Sequence, residues 1–438
     1  MKVNVIGAGL AGCEAAYQLA KRGIEVSLYE MKPQKKSPAH HTDGFAELVC
    51  SNSLRSNMLH NAVGLLKEEM RRLDSLIMEA ADACQVPAGG ALAVDRVAFS
   101  RYITQKLEQM ERINICHEEV REIEALEGIT IVATGPLSSE GIEPSIGKIT
   151  GRDALHFFDA AAPIVERSSM DESKAFFASR YDRGGDDYLN CPMNEQEYQT
   201  FYQALITAKT VVLKDFENQS VFEGCMPVEV MAQRGPMTLL FGPLKPKGIL
   251  DPRTGKEPYA VVQLRKEDAQ ATLFNLVGFQ THLTFPEQRR VFSLIPGLEN
   301  AQFVRYGVMH RNTYLNSPGL LDRTYQVKKQ PHIYFAGQMT GVEGYVESAS
   351  SGLVAGISAF CQIKGVEPPD FTTATAIGAL AHYVKEGLAG DFQPMNVNFG
   401  IMDPLEKRVK NKVQKNTQIA QRALTRLEQI ICQHSEIF

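Results

Sequence analysis

The sequence lacks any pair of cysteines spaced as CxxC, although it contains eight cysteines in 438 residues. This absence argues against a zinc site, thioredoxin-like chemistry and a disulfide scaffold, and we expect no metal centre. No apolar run reaches membrane-spanning length, and the N-terminus reads as a core strand rather than a signal peptide. Together these absences predict a cytoplasmic protein without a membrane partner.

An excess of positive charge is also missing, because the formal net charge is −5. This net charge does not indicate nucleic-acid binding by the protein surface as a whole, so any RNA contact must come from a local basic surface. The tail from residue 396 has a helical pattern and carries one basic run, formed by Lys407, Arg408, Lys410, Lys412 and Lys415. Such a run is either a solvated helix face or an RNA contact.

The most informative segment is VNVIGAGLAGCEAAYQLAKRGIEVSLYE, residues 3–30. An apolar run enters a glycine turn, a helical pattern follows, and a second apolar run ends at Glu30. In a dinucleotide-binding turn, the first glycine permits the bend, the second admits the pyrophosphate and the third allows close packing. The N–H groups at the helix start attract phosphate, and the acid accepts hydrogen bonds from a ribose diol. The predicted site comprises Gly7, Ala8, Gly9, Leu10, Ala11, Gly12 and Glu30.

Two distant segments repeat the pattern of a strand that ends in a glycine turn. They are ITIVATGP at residues 129–136 and IYFAGQMTGVEGYVESASSGLVAG at residues 333–356. A parallel sheet brings the carboxyl ends of such strands to one ligand-binding edge. The three segments together resemble FAD-binding flavoproteins of the glutathione-reductase type, with an α/β fold built on a doubly wound parallel sheet. The segments add these candidate cofactor residues: Gly135, Gly337, Gln338, Gly344 and Tyr345.

Between the second and third segments the composition shifts towards polar turns. Helical spacing is present at Tyr198, Phe201, Tyr202 and Leu205. The runs MTLLFGPL and YAVVQLR, at residues 237–244 and 259–265, read as short strands separated by glycine and proline. We therefore predict a FAD-binding domain in two parts, 1–170 and 331–438, the second ending in a basic helix. Residues 171–330 form an inserted, smaller α+β domain with an antiparallel sheet.

Two cysteines have unusual neighbours. Cys50 lies in FAELVCSNSLRS, close to Arg55, and Cys225 lies in FEGCMPVEVMAQRG, between acidic residues. A thiolate is a strong nucleophile where a nearby cation or a helix start stabilises it. A cysteine is more often a small buried hydrophobe, and from the residues alone both interpretations stay open.

Eight motifs closely resemble the TrmFO family, a relative of GidA, over essentially the whole chain. They are GAGLAGCEAAYQLAKRG, HHTDGFAELVCSNSLRS, GGALAVDR, ATGPL, FEGCMPVEVMA, VGFQTHLTFPEQ, YGVMHRNTYLNSP and FAGQMTGVEGYVESASSG. The resemblance implies a folate- and FAD-dependent tRNA (uracil-5-)-methyltransferase that forms 5-methyluridine at the T-loop uridine, position 54. The implied carbon donor is 5,10-methylenetetrahydrofolate, and NADH or NADPH is the implied flavin reductant.

The resemblance also implies roles for particular side chains. Cys225 matches the nucleophile that adds to C6 of uracil, and Cys50 lies beside the flavin, where removal of the C5 proton suits it. His282 resembles a residue that stacks on the folate pterin, although a lone histidine is more often structural. Arg311 and Asn312 are candidates for holding folate carboxylates or RNA phosphate.

Three other functions are compatible with parts of this pattern. An NAD(P)H-dependent reductase of a small acceptor predicts a second glycine fingerprint in the insertion, and none is visible there. A flavin-bearing RNA-binding protein without chemistry leaves the Cys225 motif unexplained. A related enzyme that methylates a ribosomal RNA uridine has the same catalytic core. The sequence does not specify the oligomeric state.

Overall fold

The computed structural model describes residues 2–151, 155–160, 162–182, 185, 187–211, 226–268, 270–307, 309–387 and 392–438. Their strands are β1 (Lys2–Ile6), β2 (Glu25–Tyr29), β3 (Ser53–Ser56), β4 (Gln85–Val86), β5 (Ala91–Val94), β6 (Ile113–Cys116), β7 (Ile129–Val132), β8 (Leu155–Ala160), β9 (Ile164–Glu166), β10 (Phe176–Ala178), β11 (Tyr188–Met193), β12 (Ala260–Lys266), β13 (Leu273–Leu276), β14 (Phe303–Arg305), β15 (Met309–Tyr314), β16 (Gln326–Val327) and β17 (Gln330–Phe335). Their α-helices are α1 (Leu10–Lys21), α2 (Ala62–Arg72), α3 (Leu76–Ala83), α4 (Arg96–Glu108), α5 (Glu143–Thr150), α6 (Glu195–Ile206), α7 (Val228–Gln233), α8 (Thr238–Phe241), α9 (Phe285–Phe292), α10 (Tyr345–Lys364), α11 (Ala376–Glu386) and α12 (Lys412–Gln433).

The first sheet joins the three glycine-bearing segments. Its strand order is β16-β17-β7-β1-β2-β6, and every neighbouring pair is parallel except β16 with β17. All four residues of β7 are buried, as are four of the five in β1. Such continuous apolar strands are typical of a parallel sheet covered on both faces. The predicted doubly wound sheet is therefore present.

Helices α1 and α10 pack against each other at backbone distance. A Cβ atom added at Gly352 would overlap the carbonyl oxygen of Ala11, and one added at Gly356 would lie 2.9 Å from the carbonyl oxygen of Ala15. The absence of side chains at these two glycines permits this approach. The contact holds the first and third glycine turns side by side at one edge of the sheet.

The second sheet is antiparallel and has its own core. Its strand order is β10-β11-β12-β13-β9-β14. The predicted helix is α6, and it buries the four residues with helical spacing, Tyr198, Phe201, Tyr202 and Leu205. The run YAVVQLR forms most of β12, as predicted. The division of the chain at residues 170 and 330 stays a prediction.

The run MTLLFGPL does not form the predicted strand. Residues Thr238–Phe241 are the short helix α8, which follows a turn in which the Thr238 N–H donates to the carbonyl of Gly235 at 3.1 Å. Leu239 and Leu240 are both buried, whereas Phe241 is 80% exposed. Adjacent buried residues break the alternation that a half-buried strand requires.

The tail forms α12, which buries one apolar stripe of Ile419, Ala420, Ala423, Leu424, Leu427 and Ile430. This helix packs on α2. None of the helices in the described part of the chain combines the length and the apolar character needed to cross a membrane.

The α1–α10 contact predicts a glycine requirement at position 352. We expect Gly352→Ala to lower the midpoint of thermal unfolding, because overpacking at a rigid contact costs about 1–3 kcal/mol. The matched control is Gly147→Ala in α5, where an added Cβ meets nothing within 4 Å. Alanine there should be neutral or stabilising, by up to about 1 kcal/mol. Equal midpoints for the two variants would contradict the proposed packing constraint.

Candidate cofactor and catalytic site

A cleft lies at the carboxyl ends of β1, β2, β7 and β17. Ten of the predicted cofactor residues line it: Gly7, Ala8, Gly9, Leu10, Ala11, Glu30, Gly135, Gly337, Gln338 and Tyr345. Gly12 and Gly344 do not line it.

Each glycine of the first turn has a separate steric role. Gly7 has a φ of +98°, and a Cβ there would lie 2.6 Å from the carbonyl oxygen of Ala133. A Cβ at Gly12 would overlap the carbonyl oxygen of Gly7, so Gly12 closes the turn rather than lining the cleft. An added Cβ at Gly9 meets nothing within 4 Å. The open space at Gly9 suits a ligand that approaches the backbone.

The start of α1 and the tip of β2 offer complementary groups to a nucleotide. No side chain caps α1 at Gly9, which leaves the first N–H groups of the helix to a ligand. Glu30 is buried, and its two carboxylate oxygens accept from the N–H groups of Ala8, at 2.9 Å, and Lys32, at 3.0 Å. A carboxylate has about four acceptor positions, so Glu30 retains capacity for ribose hydroxyls.

The third segment carries buried polar contacts next to the cleft. The Gly337 N–H donates to Ser351 Oγ at 2.7 Å, and Gln338 Nε2 donates to a Glu343 carboxylate oxygen at 2.6 Å. Gly344 has a φ of +116° at the start of α10, where a Cβ would overlap the buried Glu347 carboxylate. Gly344 thus makes room for this carboxylate.

Cys50 belongs to a loop, residues 48–52, that is fastened to the cleft. The hydroxyl oxygen of Tyr345 accepts from the N–H groups of Cys50, at 2.7 Å, and Ser51, at 3.2 Å. Both Tyr345 and Val49 line the cleft, so Cys50 lies directly beside it. Burial raises the pKa of Tyr345, which keeps this hydroxyl protonated at neutral pH. We name residues 48–52 the Cys50 loop.

Arg96 holds the Cys50 loop from the side of the first sheet. Its Nη1 donates to the carbonyl of Leu48 at 2.6 Å, and its Nε lies 2.6 Å from the Glu267 carboxylate. Burial alone would lower the pKa of Arg96, but the Glu267 carboxylate more than offsets burial and raises it. Glu267 follows β12, so this ion pair also joins α4 to the end of a strand of the antiparallel sheet.

Two further arginines reach the Cys50 loop from the antiparallel sheet. Arg265 donates to Ser51 Oγ at 2.7 Å and to Asn52 Oδ1 at 2.9 Å, and Arg305 donates to the carbonyl of Val49. Burial lowers the pKa of both guanidinium groups. Positive charge beside a cysteine favours its thiolate form. Nothing in the sequence pattern indicated either arginine, because both lie more than 200 positions from the loop they contact.

A second cluster joins the motif after Cys225 to the motif that contains His282. The buried carboxylate of Glu229 accepts from the His282 N–H at 2.8 Å and from Thr281 Oγ1 at 2.8 Å, and the His282 Nδ1 lies 2.8 Å from it. The Val228 N–H donates to the carbonyl of Gln280 at 2.7 Å. The cluster fixes the backbone at His282, although His282 does not line the cleft described above.

For three predicted site residues, the structure gives no side-chain contacts. Cys225 lies outside the described residues. Arg311 and Asn312 belong to β15, whose backbone pairs antiparallel with β8, opposite Phe158 and Phe157. The roles assigned to all three stay predictions.

Comparison with known proteins gives relatives over the whole chain. Residues 2–367 match the family described as glucose inhibited division protein A. Two proteins named methylenetetrahydrofolate--tRNA-(uracil-5-)-methyltransferase TrmFO are 62% identical to this chain. The one from Acetivibrio thermocellus aligns over 433 residues, 99% of each chain, and the one from Bacillus licheniformis over 428 residues, 98% of each.

Two solved structures of Aquifex aeolicus GidA share the fold. Their TM-scores are 0.69 and 0.68 at 17% identity, and the alignments cover 98% and 99% of this chain and 76% and 75% of GidA. They confirm the predicted fold class. Identity of 62% along almost the full length confirms the family indicated by the motifs. The chain therefore belongs to the TrmFO family of methylenetetrahydrofolate--tRNA-(uracil-5-)-methyltransferases, within the wider GidA family.

Proposed function

We propose that the protein methylates C5 of the T-loop uridine of tRNA, with carbon from 5,10-methylenetetrahydrofolate, bound FAD and electrons from NADH or NADPH. The observation that carries the proposal is the attachment of the Cys50 loop to Tyr345 in the wall of the dinucleotide cleft. A cysteine at this position lies beside whatever ring system the cleft holds. The names of the two TrmFO relatives specify tRNA, which favours tRNA over ribosomal RNA as the substrate.

The cleft fits FAD on three structural grounds. The uncapped start of α1 suits a pyrophosphate, the space at Gly9 admits it, and Glu30 has acceptor positions for a ribose. Gly135, Gly337 and Gln338 line the part of the cleft formed by β7 and β17. When bound, FAD supplies the redox and one-carbon transfer chemistry of the reaction.

The overall reaction balances with these reactants. The methylene group of the folate lies two electrons above a methyl group in oxidation state, and NAD(P)H supplies those two electrons as a hydride. The hydrogen at C5 of uracil leaves as a proton, and tetrahydrofolate takes up two protons, at N5 and N10, where its bonds to the methylene group break. NAD(P)⁺ is the other product, and the net reaction consumes one proton. The protein must therefore activate C5, accept its proton and orient the folate.

Cys225 is the proposed group that activates C5. The C5 position of uracil is a weak nucleophile until a group adds at C6 and creates an enolate, and a thiolate both adds and leaves readily. Cys225 precedes Val228 and Glu229, which are fixed to the segment that contains His282. This attachment supports a nucleophile held close to the folate-binding motif.

Cys50 is the proposed acceptor of the C5 proton. Arg96, Arg265 and Arg305 contact the Cys50 loop, and their positive charge stabilises an anionic sulfur there. We assign His282 to the folate pterin, with Glu229 as its positioning residue. Arg311 and Asn312 complete the proposal as contacts for folate carboxylates or RNA phosphate.

The carbon source tests the proposed reaction directly. Purified protein with tRNA, 5,10-methylenetetrahydrofolate and NADPH should form 5-methyluridine, measured by mass spectrometry of the digested RNA. Omission of the folate or of the reductant should abolish the product. Activity with S-adenosylmethionine as the only carbon donor would overturn the proposal.

The turn at Gly9 predicts a variant that folds but binds no flavin. Gly9 has φ −77° and ψ −171°, an extended conformation open to any residue, so Gly9→Val introduces no backbone strain. Its side chain fills the space proposed for the pyrophosphate. We expect colourless protein, judged by absorbance near 450 nm, with secondary structure like that of wild type. A full flavin content would contradict this binding mode.

Alanine variants of the two cysteines should lose activity at different steps of the reaction. Cys225→Ala should lower methyl transfer by several orders of magnitude with FAD content unchanged, because the nucleophile is lost. Cys50→Ala should also lose turnover but still allow attack by Cys225. A covalent protein–RNA species should therefore accumulate and persist on a denaturing gel.

Cys432→Ala is the matched control for loss of a thiol. Cys432 is exposed near the end of α12 and takes no part in the proposed site. This variant should turn over at the wild-type rate. Methylation at the wild-type rate by Cys225→Ala would show that covalent activation at this position is wrong.

A further inference from the structure

We propose that the basic surface, residues 405–415 with the adjoining loop 57–61, binds the RNA phosphate backbone while the target uridine occupies the cleft. The inference rests on the proposed function, since it assigns a docking surface for the same substrate. A tRNA extends far beyond one uridine and carries a negative charge at every nucleotide. A chain with a net charge of −5 requires a local basic surface to hold it.

The cations of this surface are available to a ligand. Their side chains are exposed, and in the parts of the chain that the structure describes no carboxylate forms an ion pair with them; they are Lys407, Arg408, Lys410, Lys412 and Lys415. Between residues 405 and 415 the only acidic residue is Glu406. Exposed basic side chains without internal partners are the groups that neutralise phosphate and release its counterions.

The basic surface is held in place at both ends. Arg422 donates to the carbonyls of Asp403, at 2.6 Å, and Pro404, at 2.8 Å, which fixes the chain before the run. The side chain of Asn411 accepts from the Gln414 N–H at 3.0 Å and caps α12 within the run. A backbone that is already ordered loses less conformational entropy when RNA binds.

Hydrogen bonds from residues on either side of this segment connect it to elements near the cofactor cleft. Upstream of the run, the Val397 N–H donates to Glu347 Oε1 at 3.0 Å, in the first turn of α10. Downstream of it, Asn416 Nδ2 donates to the carbonyl of His60 at 3.0 Å. Glu347 also pairs with Arg55, five residues before His60. Residues that flank the segment therefore contact α10, which carries Tyr345, and the loop that follows β3.

Apolar side chains are interspersed with the charges. Met58 is 48% exposed, Leu59 42% and Val413 55%. Isolated apolar groups among cations suit contact with ribose and base faces between phosphates. RNA presents this alternation of charge and apolar surface, and we therefore infer that RNA is the ligand of the basic surface.

The test compares two triple variants that each remove three positive charges, one set from the basic surface and one set from elsewhere on the protein. The test variant is Lys407→Ala/Arg408→Ala/Lys410→Ala. The control is Lys2→Ala/Lys328→Ala/Lys329→Ala, whose exposed lysines flank the amino ends of β1 and β17. The dissociation constant for an unmodified tRNA transcript is measured on the FAD-loaded protein between 50 and 200 mM salt.

Removal of three phosphate contacts should weaken binding by about 10- to 100-fold and lower the slope of log Kd against log salt by about 2 to 3. FAD content should equal that of wild type in both variants, and the control should bind tRNA as wild type does. An unchanged affinity in the test variant, or an equal loss in the control, would overturn the proposed surface. Wild-type protein that binds tRNA but forms no 5-methyluridine would instead overturn the proposed function.

Discussion

The contact between α1 and α10 is the constraint on which the rest of the site depends. Gly352 and Gly356 allow α10 to lie directly on the backbone of α1, at Ala11 and Ala15. A side chain at either glycine would separate the two helices, and with them the glycine turns that end β1 and β17. The cleft has walls from both turns, so its shape follows from a helix packing in which two glycines lie against backbone atoms.

The antiparallel sheet contributes to the cofactor site indirectly, by holding the Cys50 loop in place. Asn52 is fully buried, and its side chain donates to the carbonyls of Val94, at 3.0 Å, and Lys266, at 2.8 Å, while accepting from Arg265. All its hydrogen-bonding positions but one lone pair thus link β5, in the small sheet β3-β5-β4, to β12 of the antiparallel sheet. A buried polar network with nearly every position satisfied favours one arrangement. The antiparallel sheet therefore determines where Cys50 lies relative to the cleft.

Local patterns in the sequence predicted the parallel sheet well. The glycine turns after β1, β7 and β17 could be predicted because tight turns after a strand need particular residues. Helix α6 could be predicted from the helical spacing of its apolar residues. The strand predicted for MTLLFGPL was wrong because such a short apolar run has too few positions to distinguish the periodicity of a helix from that of a strand. Arg265 and Arg305 escaped prediction for another reason. Arg265 contacts side chains and Arg305 a backbone carbonyl of the Cys50 loop, 214 and 256 positions away, and such contacts leave no local pattern.

The long separation between α1 and α10 also has a consequence for synthesis. The first glycine turn and Lys21 at the end of α1 leave the ribosome early, whereas Lys364 at the end of α10 follows more than 340 positions later. At typical translation rates this interval lasts about 20–70 s. During that time the face of α1 that packs on α10 has no partner, although β2 and α3, which also contact α1, are already synthesised. All strands of the antiparallel sheet likewise precede α10 in the chain, so the polypeptide of the inserted sheet is complete before the second wall of the cleft exists.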